Sequence, residues 1–390
     1  MLKGKAKLVI DMGNSETRVA TVSGNDDKGI PKFKISILPN SYAEIPDEEV
    51  DSIPDDYKNE KSRVFNLNGG FWCNGEICEK EYSTYASRPT AIAKKYENNI
   101  SRLTLTNAFM QGVKDLADIL HVTEDSLEGI DWDVSICLPP RDLDLGSQPM
   151  NDMVREVAEE GLRFVVPEFN SKFTVNRVRI LQEGFCAFIG TIIGINGKVN
   201  EIKDSGGKTF AYIMEGVTLF FDIGAGTFDV GIIEGNRIID VTRETFSIGG
   251  NNVHQKVRTG LRRQGIELPE SKVKEGMITG FVKDGSKTIS LIKAIASAKS
   301  SVSKTMINMV VEFLESTQYP IRNVQNLLVV GGGAEDSDVE GIEPIGNYLE
   351  EYFKEISPNI SLVPRPTDVN GEEIPTRLLN LYGAIILSKD

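Results

Sequence analysis

The amino-acid sequence predicts an α/β protein built from two related lobes. Three observations lead to this prediction: an internal repeat of a strand–turn–strand unit, a further glycine-rich turn after a buried strand, and a length of 390 residues. At about 150 residues per domain, that length suits two or three lobes. The hydrophobic share of 40% and the charged share of 26% are those of an ordinary globular chain, which excludes a long disordered or fibrous protein.

The composition excludes several classes of function. The chain carries 43 Lys and Arg residues against 57 Asp and Glu residues, and the net charge of −14 argues against direct nucleic-acid binding. Its only histidines are His121 and His254, and no cysteine pair has C-x-x-C spacing, so neither a histidine-based metal site nor a Ser/His/Asp triad is expected. The N-terminus reaches Asp11 before a signal-peptide core forms, and the longest weakly polar run, 185–195, is too short to span a bilayer. The sequence therefore predicts a cytoplasmic protein without a membrane segment.

The repeat relates residues 8–22, LVIDMGNSETRVATV, to residues 219–233, LFFDIGAGTFDVGII. At a constant offset of 211 residues the identical pairs are Leu8 and Leu219, Asp11 and Asp222, Gly13 and Gly224, and Val19 and Val230. Each copy predicts a β-hairpin whose tip carries an Asp and glycine, and glycine allows backbone N–H groups to point at one ligand. We therefore expect a polyphosphate between the two tips. A divalent cation, Mg²⁺ held through waters, would separate it from the two carboxylates.

A third glycine element lies at residues 327–335, LLVVGGGAE. A buried strand ends in three glycines, and a helical stretch is predicted to follow. This arrangement allows backbone to pack against a flat ring or a phosphate. The alternative is a plain strand-to-helix turn.

These segments resemble, in the same order, the motifs of the actin-like ATPase superfamily, which includes actin, sugar kinases and heat-shock chaperones. Segment 11–18 resembles the first phosphate loop, 222–229 the second and 330–335 the adenosine motif, while 182–187 and 381–386 resemble the two connecting segments. The resemblance covers the chain end to end. It implies a two-lobed actin-like fold, a duplicated ribonuclease H-like fold with a nucleotide cleft between the lobes.

Within the superfamily the sequence is most similar to the bacterial ParM-type plasmid-segregation actins. Four stretches carry this similarity: 133–139, 173–183, 246–253 and 290–335. One departure is Arg18, where ParM and actin usually carry Lys; its planar guanidinium differs from an ammonium point charge. The other is the block 32–101, which matches nothing residue by residue.

The resemblance implies the residues of the site. Glu183 would orient the attacking water and accept its proton, and Asp222 would be the second catalytic residue. Mg²⁺ would lie near Asp11 and Asp222, and water molecules would most simply bridge the ion to the two carboxylates. The alternatives are a charge at a helix N-terminus for Glu183 and turn caps for the two aspartates. ATP or GTP would contact Asp11, Gly13, Asn14, Ser15, Thr17, Arg18, Gly224, Ala225, Gly226, Thr227, Gly249, Gly250, Gly331, Gly332, Gly333 and Ala334.

The expected organisation has a first domain at 1–181, completed by 373–390, and a second domain at 182–372. Each carries an inserted subdomain, at about 32–101 in the first and about 253–293 in the second. Apolar periodicity predicts helices at 101–120, 150–164, 294–317 and 342–353. Asn151 is the candidate N-cap of the second of these helices.

The resemblance implies a nucleotide-dependent, filament-forming ATPase that moves plasmid DNA through a DNA-binding adapter protein. The chain would polymerise head to tail, and hydrolysis would weaken the polymer. One alternative is a small-molecule kinase of the same superfamily, with Asp229 as the nearest catalytic candidate. Another is a phage-encoded or cell-shape actin relative.

Overall fold

The computed structural model describes residues 4–88, 94–199, 210–285, 287–335, 339–368 and 370–389. Contacts divide the chain into two compact units. The first contains Met1–Gly190, Ile195–Gly197 and Asn380–Asp390, and the second contains Thr191–Gly194 and Lys198–Leu379.

Strands and helices alternate along much of the chain. The strands are β1 (Gly4–Met12), β2 (Glu16–Asn25), β3 (Pro31–Pro39), β4 (Tyr42–Ile45), β5 (Ser62–Leu67), β6 (Gly70–Gly75), β7 (Ile130–Leu138), β8 (Leu162–Val166), β9 (Phe169–Ser171), β10 (Thr174–Gln182), β11 (Val217–Ile223), β12 (Phe228–Glu234), β13 (Arg237–Ile238), β14 (Glu244–Phe246), β15 (Phe281–Asp284), β16 (Lys287–Ser290), β17 (Asn326–Val330) and β18 (Ser361–Leu362). The helices are α1 (Asp47–Val50), α2 (Glu76–Lys80), α3 (Asn99–Leu120), α4 (Pro140–Glu160), α5 (Phe185–Ile192), α6 (Phe210–Glu215), α7 (Gly250–Arg263), α8 (Glu270–Thr279), α9 (Ile292–Ser316), α10 (Ile345–Lys354) and α11 (Leu379–Leu387).

Each unit is built on a central sheet with the same strand order. In the first unit the order is β10-β7-β1-β2-β3, and in the second it is β18-β17-β11-β12-β13, with β14 also paired to β12. In both sheets the hairpin is antiparallel and its first strand pairs in parallel with a strand from later in the chain. The predicted α/β duplication is therefore confirmed in three dimensions.

The two hairpins also share one register. Asp11 lies opposite Arg18 in the first unit, and Asp222 lies opposite Asp229 in the second. Both pairs obey the offset of 211 residues found in the sequence. Because a slip of one residue would turn every side chain to the other face of the sheet, equal register places equivalent side chains on equivalent faces.

The central strands are buried on both faces, which explains their nearly continuous apolar sequences. On β1, Leu8 and Ile10 pack in the cluster that contains residues of α3, whereas Val9 packs in the cluster that contains residues of α11. On β11, Phe221 packs in the core of the second unit together with residues of α7 and α9. The hairpin tips are thereby attached to the most buried part of each unit.

The predicted insertion at 32–101 contributes strands to two different sheets. Its first strand, β3, is the edge strand of the central sheet. A second sheet of order β4-β6-β5-β8-β9 combines strands from the insertion with two strands from residues 162–171. Residues 89–93 of the insertion lie outside the described residues. In the second unit, residues 253–293 contain most of α7, all of α8, and the hairpin β15-β16.

Three of the four predicted helices are confirmed, as α3, α9 and α10. The prediction of a helix at 150–164 capped by Asn151 is wrong in its bounds. Helix α4 begins at Pro140, where proline fits because the first helical N–H needs no partner, and it continues through Pro149 to Glu160. Residues 162–166 form β8. Within the described part of the chain, no helix has both the length and the apolar character required to cross a membrane.

Candidate functional site

The first predicted phosphate loop is the tight turn between β1 and β2. A Cβ atom at Gly13 would lie 2.6 Å from the carbonyl oxygen of Glu16, so the turn requires glycine there. Among the described residues, no backbone carbonyl accepts a hydrogen bond from the N–H groups of Asn14 and Ser15. These two amides can therefore donate to an anion.

Arg18 contacts acidic residues of its own hairpin. Its Nη1 donates to Asp11 Oδ2 at 2.9 Å, and its Nη2 donates to Glu16 Oε1 at 2.8 Å. Burial lowers the pKa of the Arg18 guanidinium, but the charges of Asp11 and Glu16 and the hydrogen bonds to them raise it by more, so the group stays charged. The structure thus pairs two predicted nucleotide ligands, Asp11 and Arg18, with each other.

Asn40 stabilises the first loop through hydrogen bonds, a role that the sequence analysis did not assign. Its Nδ2 donates to the carbonyl oxygen of Gly13 at 2.5 Å, and its Oδ1 accepts from Thr17 Oγ1 at 2.9 Å. Its backbone N–H donates to the carbonyl oxygen of Ser15 at 3.0 Å. Asn40 is only 1% exposed, so these bonds are protected from water. It lies in the block that matched no family pattern, where no local motif marks it.

In the second unit, the second loop packs directly on the start of α7. The Gly250 N–H donates to the carbonyl oxygen of Gly224 at 2.9 Å, and the Asn251 N–H donates to that of Ala225 at 2.7 Å. A Cβ atom at Gly249 would lie 2.6 to 2.8 Å from backbone atoms of Gly224 and Ala225. The carbonyls of the loop are thus held by α7. Within the described residues, no backbone carbonyl accepts from the N–H groups of Ala225 and Gly226.

The predicted adenosine motif packs against the same loop. A Cβ atom at Gly333 would lie 2.9 Å from the Gly224 carbonyl oxygen, and one at Gly331 would lie 2.5 Å from Asp222 Oδ1. Gly331 also has φ of +91°, which favours glycine. Gly332–Ala334 form a short 3-10 turn in which the Ala334 side chain is buried in the core. Three glycine segments that are distant in sequence therefore converge within the second unit.

The carboxylates of the two hairpins have different surroundings. Asp11 faces Arg18, whereas Asp222 faces Asp229 across the strand pair, and both members of the second pair are acidic. Asp229 Oδ1 accepts a hydrogen bond from Thr245 Oγ1. No cluster of three or more Asp, Glu, His or Cys side chains able to hold a metal ion occurs among the described residues. A cation at either hairpin would thus need water or phosphate oxygens to complete its coordination.

Glu183 follows β10 at the edge of the first unit's sheet. Its backbone N–H donates to the carbonyl oxygen of Leu138 at 2.8 Å, and the next N–H, of Gly184, donates to Asn380 Oδ1 at 3.0 Å. The Glu183 side chain is buried, and its Oε1 accepts from Lys95 Nζ at 2.7 Å. Sequence analysis found Glu183 but neither Lys95 nor Asn380, which are distant from it along the chain.

Comparison with known proteins agrees with this architecture. Residues 220–339 match the family model described as archaeal actin homologue MreB-like, C-terminal. The archaeal actin homologue Ta0583 is 15% identical, with a TM-score of 0.65 over 98% of this chain and 99% of that chain. The chain has the actin fold. No curated protein matches the sequence.

Two ParM structures share this actin-like fold. Bacillus thuringiensis ParM, solved with ATP, is 14% identical, with a TM-score of 0.60 over 99% of this chain and 98% of its own. ParM of a 15-stranded filament from Clostridium botulinum is 16% identical, with a TM-score of 0.60 over 98% of this chain and 99% of its own. At these identities the likeness establishes the fold alone.

Asn40→Ala is expected to weaken nucleotide binding about tenfold, equivalent to about 1.4 kcal/mol. The substitution removes the hydrogen bonds from the Asn40 side chain to the Gly13 carbonyl and from the Thr17 hydroxyl to that side chain. The first loop is then held less firmly in its conformation. Titration with a fluorescent ATP analogue measures the effect. Asn170→Ala, at an exposed position of β9, is the matched control and should bind as the wild type does. Equal affinity for both variants would show that the loop does not need Asn40.

Proposed function

We propose that this chain is a Mg²⁺-dependent, filament-forming ATPase of the actin-like type. The observation that carries the proposal is the pair of hairpins in identical register, each presenting, at a glycine turn, backbone amides for which no backbone carbonyl of the described residues is the acceptor. Such amides stabilise phosphate charge without a mobile side chain. The presence of ATP in B. thuringiensis ParM, which has the same fold, supports the choice of nucleotide.

The proposed roles follow from the contacts within each unit. The amides of Asn14, Ser15, Ala225 and Gly226 bind phosphate oxygens, and the backbone of 331–334 lies against the nucleoside. Because that contact is made by backbone, both ATP and GTP remain candidates. Glu183 orients the attacking water and takes its proton.

Mg²⁺ fits the second hairpin better than the first. Asp222 and Asp229 lie directly opposite each other and place two carboxylates side by side, an arrangement that a divalent cation favours, whereas Asp11 pairs with Arg18. Asp222 would hold the ion, and Asp11 would contribute through water. Bound Mg²⁺ would neutralise charge that develops on the phosphates.

The proposed polymer is a head-to-tail assembly of this chain that hydrolysis destabilises. Its support is the C. botulinum ParM filament, whose subunit has the same fold. With a net charge of −14, subunits repel one another at low ionic strength, so assembly should strengthen as salt screens that repulsion.

The same net negative charge favours contact with DNA through another protein rather than directly. We therefore propose plasmid segregation in the cytoplasm through a DNA-binding adapter protein.

Phosphate release and light scattering, recorded together with Mg-ATP, test the proposed function. We expect both signals without any added small substrate, filaments by electron microscopy, and loss of phosphate release when EDTA removes Mg²⁺. A non-hydrolysable ATP analogue should give longer-lived polymers. Absence of polymer over a wide range of protein and salt concentration would refute the filament. Phosphate transfer that strictly requires a small acceptor would instead favour the kinase alternative with Asp229.

A further inference from the structure

Lys95 makes a short ion pair with the proposed catalytic carboxylate. Lys95 Nζ lies 2.7 Å from Glu183 Oε1, and the two side chains are 15% and 9% exposed. The residues are 88 positions apart in sequence, and Lys95 belongs to the block without family counterpart. A charge-assisted hydrogen bond between two largely buried groups is strong and directional.

The backbone from Lys95 to Asn98 is anchored against α4 and α3. Tyr96 is 8% exposed and packs so closely on α4 that a Cβ atom at Gly146 would lie 2.2 Å from its ring. Asn98 caps α3 by accepting a hydrogen bond from the Ile100 N–H. The Lys95 N–H itself points at Asp142 Oδ2, at 3.4 Å. The ammonium is therefore presented from a fixed segment.

We propose that Lys95 is a positioning residue that holds the Glu183 carboxylate in its working orientation. This inference rests on the proposed ATPase function. With Oε1 engaged by Lys95, the rotation of the carboxyl group is restricted, and the carboxylate keeps one direction toward the attacking water. Bases in hydrolytic sites are commonly oriented by a third group in this way, and a displacement of about 1 Å can cost about 100-fold in rate.

The alternative is an ion pair that only stabilises the first unit. Removing one member of a buried pair leaves an uncompensated charge, so lower stability alone cannot distinguish the two roles. The distinction lies in coupling: a residue that acts through Glu183 has no effect on turnover once Glu183 cannot act as a base.

The test compares Lys95→Met, Lys95→Gln and Lys95→Arg with wild type for Mg-ATP turnover, nucleotide affinity and thermal unfolding. We expect Lys95→Met to lower turnover about 10- to 100-fold with nucleotide affinity changed less than about threefold. Lys95→Arg, which keeps the charge and the donors, should restore most of the rate. Lys95→Gln keeps a donor without charge and replaces Lys95→Met if that variant does not fold. Lys94→Met is the matched control, since Lys94 pairs with Glu97 at the surface.

The decisive comparison adds Lys95→Met to Glu183→Gln. We expect the double variant to turn over at the rate of Glu183→Gln alone. A further loss in the double variant, or wild-type turnover in both Lys95→Met and Lys95→Gln, overturns the positioning role while the proposed ATPase stands. A wild-type chain that releases no phosphate from Mg-ATP overturns the proposed function and this inference together.

Discussion

Glu183→Ala is expected to abolish most phosphate release, by about 100- to 10,000-fold, while nucleotide binding is kept. The carboxylate is the proposed acceptor of the water proton, and the loop amides that would bind the phosphates belong to other residues. Polymers of this variant should persist, because hydrolysis no longer weakens them. Single-turnover phosphate release and titration with a fluorescent ATP analogue measure the two effects separately.

The alanine variant needs a companion because it leaves the Lys95 ammonium without its partner. Glu183→Gln keeps the size of the side chain and an oxygen that can accept from Lys95 Nζ, so it removes basic function with less damage to packing. Both variants should lose turnover. If Glu183→Gln hydrolyses ATP at the wild-type rate, Glu183 is not the base, and the loss in the alanine variant would be structural.

Gly249→Ala is expected to reduce nucleotide affinity about 100-fold and to lower the free energy of unfolding by about 1 to 3 kcal/mol. Gly249 has an extended backbone, with φ of −158°, so alanine meets no conformational barrier there. The obstacle is steric: the new Cβ atom would lie 2.6 Å from the Gly224 carbonyl oxygen and 2.7 Å from that of Ala225. Both are backbone atoms, so the second loop must shift away from α7 and its amides change direction.

Gly260→Ala is the matched control on the same helix. No heavy atom lies within 4 Å of a Cβ atom built at Gly260, and the residue is in the interior of α7. Alanine there should raise stability by about 0.5 to 1 kcal/mol and leave nucleotide affinity unchanged. Thermal unfolding and nucleotide titration of both variants check the pair of expectations. Equal nucleotide affinity for Gly249→Ala and wild type would mean that the close approach of α7 to the loop is not required for binding.

Much of the fold could be predicted because the sequence patterns that indicate its strands, turns and helices lie within short segments of the chain. The hairpins at 8–22 and 219–233 combine apolar strands with glycine turns, and their common offset revealed the duplication without any knowledge of contacts. Helices α3, α9 and α10 carry clear apolar periodicity. Helix α4 was placed ten residues late, at residue 150, because prolines at 139, 140 and 149 hide a helix that tolerates one proline in its first turn and another inside.

The charges at the hairpin tips were less predictable. Sequence assigned both Asp11 and Arg18 to the nucleotide, since both lie in the first loop. The structure pairs them at 2.9 Å, which follows from their positions opposite each other on adjacent strands. In the second hairpin the same register sets Asp222 against Asp229. One repeated pattern therefore sets an acid opposite a base in one hairpin and two acids opposite each other in the other, a difference that appears only when cross-strand partners are known.

The sequence by itself determined the duplicated hairpins and the glycines at their tips, because strand alternation and tight turns depend on residues within a few positions of one another. Only the tertiary structure decided which side chains support those tips. Asn40 reaches the first loop from the end of β3, and Lys95 reaches Glu183 from a segment 88 residues earlier. Gly331 makes room for Asp222 from the end of the neighbouring strand β17. Such contacts depend on the path of the chain through space, and no local pattern of residues encodes that path.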